Sequence, residues 1–402
     1  MINLNKKIFS TLFLSIFAAV TGVGIVVPLL PVYAHDHGAG GFYIAAIFGS
    51  FSFSRTILLP YFGRLSDKKG RKNIIVAGLF AYALVSVAFL FADSINALII
   101  IRLLQGIGSA MIMPVTQAYV GDITPQGKEG WVMGLFNMSV FFGLSIGPLI
   151  GGVINDAFSI NAAFICMGFL ALAGFFLSLF LLPPVKSEKI SCRKKKTIAW
   201  KLLLKDQDII GLSFFRFSYT TCIGIIWGFL PIFADFKFSL SSSLIGVLVM
   251  LGVMVSGLLQ IPMGYLADRM NKKIMIVTGG IITIYALLSF TWANGFRDLF
   301  IANALFGLGG GISTPALMAM IVIKGEESDA MGSVMGLVTM AHSSGMLAGA
   351  FLAGLMMDYF KLSQSFTLGA VVMLAGIILF TINTQNVKKQ NRMVPIHGNV
   401  KV

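Results

Sequence analysis

The chain has 402 residues, of which 57% are hydrophobic and 11% are charged, and its formal net charge is +14. Soluble domains carry about 25% charged residues, so this composition argues against a soluble globular fold and predicts an integral membrane protein. In a soluble chain such a basic balance would suggest nucleic acid as a partner, but here the basic residues are concentrated in alternate loops, which excludes that partner.

Twelve apolar stretches are each long enough to cross a bilayer, which requires about 20 residues. The first follows Lys6 and Lys7, is too long for the core of a signal peptide and has no small-residue cleavage site after it, so an uncleaved helix is expected. The alternating pattern of a barrel is absent, so the prediction is an all-α protein. The predicted helices cover 9–31, 41–62, 74–92, 95–119, 131–153, 162–182, 208–233, 242–263, 274–292, 297–322, 332–355 and 364–383.

The distribution of Lys and Arg predicts the topology. With the N-terminus in the cytoplasm, 24 of the 30 basic residues fall in cytoplasmic segments. Only Lys237, Arg297 and Lys361 fall in outer loops. Because basic residues favour the cytoplasmic side, both termini are predicted there, in a multi-pass protein of the plasma (inner) membrane. Part of the charge would also attract anionic lipid.

A polar segment divides the chain near its middle. The sequence therefore predicts an N-terminal six-helix bundle (1–182), a basic cytoplasmic linker (183–207), a C-terminal six-helix bundle (208–384) and a cytoplasmic tail (385–402). The halves repeat each other: Gly63 recurs as Gly264 at a shift of 201 residues. Such repeats build a midplane site that opens alternately to either side, so they predict a transporter. The repeated pairs include Asp67 with Asp268 and Asp156 with Asp358.

The loop between predicted helices 2 and 3 contains a motif that runs from Gly63 to Lys72. Its glycines allow a tight turn, but a purely structural turn would not need the acidic and basic residues as well. The motif resembles the loop 2–3 signature of the major facilitator superfamily. That resemblance implies a latch between the halves in the outward-open state, formed by Gly63, Asp67, Gly70 and Arg71, with Asp122 as a partner.

Two further helices carry motifs of the same family. Predicted helix 4 contains Arg102 and Gln105 in a run similar to a motif whose arginine is tied to proton coupling. Predicted helix 5 resembles the antiporter signature of drug exporters, with small residues for close packing and a proline that bends the helix. The resemblance covers the whole chain and implies the twelve-helix drug:proton antiporter branch. The residues of the helix 5 motif are Gly143, Gly147, Pro148, Gly151 and Gly152.

Some features depart from that branch. Many such exporters carry a carboxylate in helix 1, where this chain has Ala19, and no Asp or Glu lies deep in any predicted helix. The ionisable residues inside helices are Arg55, Arg102, Arg216 and His342. An arginine deep in the bilayer costs about 2.5–3.5 kcal/mol unless it snorkels or finds a partner, so a cationic cavity for an anionic or zwitterionic substrate is one hypothesis.

His342 near the middle of predicted helix 11 could carry a proton, because histidine titrates near neutral pH, although a lone histidine can also serve packing alone. Aromatic residues are abundant and predict an aromatic cavity, with lipid-facing phenylalanine as the alternative for most of them. The 21 methionines suit a pocket that accepts varied lipophilic compounds. The aromatic candidates are Tyr33, Tyr119, Tyr219 and Trp227.

The sequence therefore predicts a monomeric secondary transporter that exports a small lipophilic compound or drug in exchange for protons. The alternative is an exporter or facilitator of an organic anion that uses the buried arginines without proton coupling. A sensor would need a large soluble domain, and an enzyme would need a nucleophile–base pair, a metal cluster or a phosphate loop. The spacing of Cys166, Cys192 and Cys222 fits neither disulfides nor a metal site, so no metal or cofactor is expected.

Overall fold

The computed structural model describes residues 5–125, 129–183, 205–328 and 331–391. Within these ranges it contains twelve helices that are long and apolar enough to cross a membrane, as predicted. In chain order they are α1 (Lys6–Asp36), α2 (Gly41–Lys69), α3 (Arg71–Phe89), α4 (Ile95–Ile123), α5 (Glu129–Ala157), α6 (Ile160–Leu181), α7 (Gln207–Phe238), α8 (Ser242–Arg269), α9 (Lys272–Thr291), α10 (Phe296–Glu327), α11 (Met331–Tyr359) and α12 (Ser363–Asn391).

Short polar residues determine where several helices begin. The side chain of Ser94 accepts a hydrogen bond from the N–H of Ala97, and that of Ser159 accepts one from Ala162. Both bonds satisfy amide groups that the first turn of a helix leaves without a partner. Between α2 and α3 the chain turns at Gly70, whose φ of 90° favours glycine over any residue with a side chain.

Most helices extend beyond their predicted ends. For example, α2 continues to Lys69 and α12 to Asn391, because polar residues prolong a helix past the apolar run that marked it. The predicted linker 183–207 falls largely outside the described residues, as do Cys192 and the end of the tail after Asn391.

The two halves pack their helices in the same pattern. In the first half α1 packs against α5 and α6, and α4 packs against α2 and α3. In the second half α7 packs against α11 and α12, and α10 packs against α8 and α9. The halves meet mainly through α5 with α8 and α2 with α11, which are equivalent pairs under the repeat. The architecture is therefore two pseudo-symmetric six-helix bundles, the predicted fold class.

The outer surface of the bundle is apolar. Phe169, Phe180, Ile261 and Tyr285 are each more than 55% exposed although they lie in spanning helices. A soluble protein would not expose so many large apolar residues, but lipid accommodates them.

Candidate transport cavity

At one end of the bundle, which we call the capped end, two aspartates join the halves. The carboxylate of Asp156, at the end of α5, accepts hydrogen bonds from the N–H groups of Ser242 (3.0 Å) and Ser243 (2.7 Å) at the start of α8. Asp358, at the end of α11, accepts them from Gly41 (2.5 Å) and Phe42 (2.8 Å) at the start of α2. Each carboxylate thus caps a helix N-terminus of the opposite half.

Glycines bring the backbones together at the capped end. A Cβ atom on Gly152 would overlap the carbonyl oxygen of Ser242, and one on Gly41 would overlap that of Gly354. No larger residue could occupy these positions without separating the halves. The side chain of Asn155 adds a hydrogen bond of 2.8 Å to the hydroxyl of Ser242.

The opposite end of the bundle, which we call the open end, contains the loop between α2 and α3. A Cβ atom on Gly63, Gly134 or Gly264 would meet no atom within 4 Å. These three glycines lie on α2, α5 and α8, which pack closely against the other half at the capped end. The halves therefore contact each other at the capped end and separate toward the open end.

A cavity of about 330 Å³ lies between the halves. Its volume is within the range of pockets for drug-sized ligands. Most of its wall is apolar or aromatic, and none of its described lining residues is Asp or Glu. Since the halves are in contact at the capped end, access to the cavity is from the open end. Its aromatic residues are Phe51, Tyr82, Phe141, Tyr219, Trp227 and Phe306.

Four of the predicted site residues line this cavity: Arg55, Tyr219, Trp227 and His342. The Nε of Arg55 and the Nδ1 of His342 are buried and have no hydrogen-bond partner among the described residues. Arg216 on α7 also has a buried Nε without a partner, and its charge acts on His342. Tyr219 lines the cavity and stacks on Phe306, with ring centroids 5.8 Å apart.

Arg102 and Gln105 lie inside the first half and not on the cavity wall. The Nη1 of Arg102 donates a hydrogen bond of 2.6 Å to the Oε1 of Gln105, and its Nε donates one of 3.4 Å to the carbonyl of Ile47. The guanidinium also stacks on the rings of Phe48 and Phe51, at 5.1 and 4.7 Å from their centroids. This buried arginine is satisfied within the protein, so its role in coupling stays a prediction.

Two of the predicted aromatic residues lie away from the cavity. Tyr33 borders a second pocket of about 160 Å³ near the capped end, together with Asn155 and Ser242. Tyr119 is fully buried, and its hydroxyl donates a hydrogen bond of 2.7 Å to the carbonyl of Pro183. The sequence analysis did not select Asn303, which lines the cavity and whose amide donates a hydrogen bond to the carbonyl of Leu248. The polar side chain of Asn303 inside an apolar spanning helix could have identified it as a candidate.

Two residues of the predicted latch, Arg71 and Asp122, contact each other at the open end. The Nε of Arg71 lies 3.1 Å from the carboxylate of Asp122, and its Nη1 donates a hydrogen bond of 2.8 Å to Ser66. This network joins α2, α3 and α4 within the first half. The side chain of Asp67 lies outside the described part of the chain, so its place in the latch stays a prediction.

The residues of the helix 5 motif lie on two faces of α5 and contact two different helices. A Cβ atom on Gly147 would lie 2.5 Å from the carbonyl oxygen of Thr21, and one on Gly151 would lie 2.6 Å from that of Ile25. A Cβ atom on Gly143 would be less crowded, at 3.1 Å from the carbonyl oxygen of Phe17. This glycine face therefore holds α5 against α1, where the ring of Pro148 also approaches Gly24. Gly152 and the carbonyl of Pro148 face α8 in the other half.

Comparisons with known proteins agree with this architecture. The family model described as Major Facilitator Superfamily matches residues 12–233 and 212–395. The chain is 29% identical to an uncharacterized MFS-type transporter of Methanocaldococcus jannaschii over 94% of this chain and 98% of that protein. It is 26% identical to the quinolone resistance protein NorA of Staphylococcus aureus (96% and 100%) and to multidrug resistance protein 2 of Bacillus subtilis (94% and 95%).

Solved structures share the fold at low identity. The nucleoside transporter NupG aligns with a TM-score of 0.79 at 12% identity, over 94% of this chain and 99% of that one. The human organic anion transporter MFSD10 aligns with a TM-score of 0.68 at 17% identity, over 93% and 99%. The chain belongs to the Major Facilitator Superfamily, and within it resembles the drug:proton antiporter branch.

Proposed function

We propose that this protein exports a small, partly lipophilic compound from the cytoplasm by alternating access, in exchange for protons. The observation that carries the proposal is the cavity of about 330 Å³ between two halves that pack together at the capped end and separate toward the open end. An apolar and aromatic wall suits a lipophilic substrate. The drug-resistance names of relatives at 26% identity support export over uptake.

The distribution of basic residues assigns the two ends to the two sides of the membrane. The open end carries the loop from Gly63 to Lys72, whose basic residues favour the cytoplasm. The open end then faces the cytoplasm, both termini are cytoplasmic, and the structure is inward-facing. For export, the capped end must open to the outside while the latch residues Asp67 and Arg71 draw the cytoplasmic ends together.

His342 is the proposed proton carrier. Among the described residues that line the cavity it is the one histidine, and there is no carboxylate. Its Nδ1 is buried without a hydrogen-bond partner, which leaves this atom available to a proton or a substrate. An imidazole ring can bind and release a proton, as a coupling residue must. Arg102, held by Gln105 and Ile47, would keep α2 and α4 aligned beside the cavity.

The second candidate is export of an organic anion without protons. It is favoured by the position of Arg55 on the cavity wall, where no carboxylate balances its charge. A membrane potential that is negative inside already drives anions outward, at about 2.3 kcal/mol per charge for each 100 mV. An anion exporter would therefore not need a proton gradient.

Transport in liposomes separates the two candidates. Full-length protein would be reconstituted with a lipophilic fluorescent dye, with and without an imposed pH gradient. Dye accumulation that requires the gradient, and that is lost in His342→Gln but retained in His37→Gln, is the expected result. His37 is a suitable control because it is exposed at the capped end. Transport that ignores the gradient would contradict proton exchange, and no transport of any lipophilic compound would contradict the proposed function.

A further inference from the structure

The cavity carries a positive charge that no acidic residue offsets among the described residues of its wall. Arg55 from α2 and His342 from α11 line it, and Arg216 from α7 lies close enough for its charge to act on His342. Each of the three has a buried nitrogen without a hydrogen-bond partner among the described residues. We call Arg55, Arg216 and His342 the cationic cluster, whose positive charge comes from the two guanidinium groups. It draws on both halves, since α2 belongs to the first half and α7 and α11 to the second.

Two other cations of the described chain have protein partners: Arg102, which is buried, and Lys324, which is half-buried. Arg102 is bonded to Gln105 and to the carbonyl of Ile47 and lies over two phenylalanine rings. Lys324 is 2.8 Å from the carboxylate of Asp208. Folding thus supplies partners to these two cations, whereas the Nε donors of Arg55 and Arg216 face no acceptor among the described residues. Buried donors without an acceptor are expected to be rare unless a ligand completes them.

The surroundings of the cluster indicate the rest of the ligand. Phe51, Phe141, Trp227, Phe306 and Met346 form an apolar wall in the same cavity. A ligand that fills the cavity therefore needs an apolar body on one side and an acceptor group with negative charge on the other. A lipophilic cation would bring its charge toward two arginines with no carboxylate on the cavity wall to offset them.

We propose that the cationic cluster binds the anionic group of an amphipathic organic anion, such as an aromatic carboxylate, whose apolar body lies against the aromatic wall. This inference rests on the proposed function, because it takes the cavity as the transport site. Guanidinium groups suit the task, since their planar fork can donate two parallel hydrogen bonds to one carboxylate. Because the cluster comes from both halves, binding of the anion would also link the halves.

Binding is measured without transport, on the purified full chain in detergent. Trp227 lies in the cavity, so a nitroaromatic ligand bound there should quench its fluorescence, and Trp227→Phe should remove that signal. Three ligands of nearly the same shape would be compared: para-nitrobenzoate, neutral para-nitrobenzamide and cationic para-nitrobenzylammonium. We expect the benzoate to bind at least about 10-fold more tightly than the other two, since loss of a charge-paired acceptor at a buried site usually costs that much.

Variants test whether the cluster is responsible. Arg55→Gln and Arg216→Gln should each weaken benzoate binding by on the order of 10-fold, with little effect on the benzamide. Arg55→Lys and Arg216→Lys, which keep the charge, should recover part of the affinity and guard against misfolding, checked by gel filtration. Arg297→Gln is the matched control, because Arg297 is exposed at the start of α10, near the capped end. Equal binding of benzoate and benzamide, or unchanged benzoate binding in Arg55→Gln/Arg216→Gln, would overturn the proposal.

Export in liposomes separates this inference from the proposed function. Gradient-driven export of a lipophilic dye, together with benzoate binding that is unchanged in Arg55→Gln/Arg216→Gln, would leave the exporter intact and reject the anion site. Tight benzoate binding that is lost with the arginines, in a protein that exports no compound, would support the anion site and reject the exporter.

Discussion

The carboxylate of Asp358 accepts a hydrogen bond of 2.5 Å from the backbone N–H of Gly41, and so joins the end of α11 to the start of α2. Asp156 makes the equivalent contact with Ser242 between α5 and α8. The two aspartates are related by the internal repeat at a shift of 202 residues. If the capped end faces outward, both contacts must break before the cavity can open to that side.

Removal of these caps should favour opening of the capped end. We expect Asp156→Ala and Asp358→Ala each to cost the closed arrangement about 1 kcal/mol, the usual value of a side-chain helix cap, which is about a fivefold change in population. Spin labels at Phe158 and Phe236, which are 79% and 77% exposed, would report the distance between the halves at this end. A larger share of long distances is the expected result.

Asp298 provides the control for the caps. Its carboxylate accepts a hydrogen bond from the N–H of Asn294, but both residues belong to the second half. Asp298→Ala should therefore leave the distance distribution unchanged. If Asp298→Ala shifts the distribution as much as Asp358→Ala does, the effect does not come from the contact between halves.

Gly152 should be the position where added bulk separates the halves. Its Cβ would overlap the backbone of Ser242, and such overpacking usually costs about 1–3 kcal/mol. Gly152→Ala should lengthen the distance between the labels at Phe158 and Phe236. Gly134→Ala on the same helix is the matched control, because a Cβ there meets no atom within 4 Å. The same distances in both variants would show that α5 and α8 can adjust to the methyl group.

The sequence was sufficient to predict the fold because spanning helices and a repeat leave clear patterns. It showed that Asp156 and Asp358 are equivalent, but it did not show that they cap helices of the other half. Their partners are backbone N–H groups at residues distant in sequence, such as Gly41 and Ser242. A backbone partner leaves no pattern of side-chain types from which it could be recognised.

The candidate site was predicted less completely. Polar residues inside apolar helices are costly, and that signal selected Arg55 and His342, which lie on the cavity wall. The same signal selected Arg102, whose partners are Gln105 and the α2 backbone. A helix that is apolar on all sides does not indicate which face lines a cavity, so the sequence could not separate the two cases.

Lys324 should be important for the stability of the second half. Its ammonium lies 2.8 Å from the carboxylates of both Asp208 and Glu327, and Asp208 is almost fully buried. Lys324→Met would leave Asp208 with an uncompensated charge, so we expect a loss of about 3 kcal/mol in unfolding free energy. Thermal unfolding in detergent measures it, with Lys361→Met as an exposed control.

The double variant Asp208→Asn/Lys324→Met identifies the cause. Neutralising Asp208 removes the buried charge that Lys324→Met leaves behind, so the double variant should unfold at a higher temperature than Lys324→Met alone. If the two losses simply add, the ion pair between α7 and α10 is not what Lys324 contributes.

Arg102→Lys should separate a coupling role from a structural one. Lysine keeps the charge but cannot bond Gln105 and the Ile47 carbonyl while it stacks on Phe48 and Phe51. We expect a loss of about 1–2 kcal/mol in stability from the hydrogen bonds and ring contacts.

If Arg102 takes part in coupling, gradient-driven export should fall while substrate counterflow without a gradient continues. If Arg102 only holds α2 against α4, both activities should fall together with the amount of folded protein. Arg297→Lys, at an exposed position, should change neither activity.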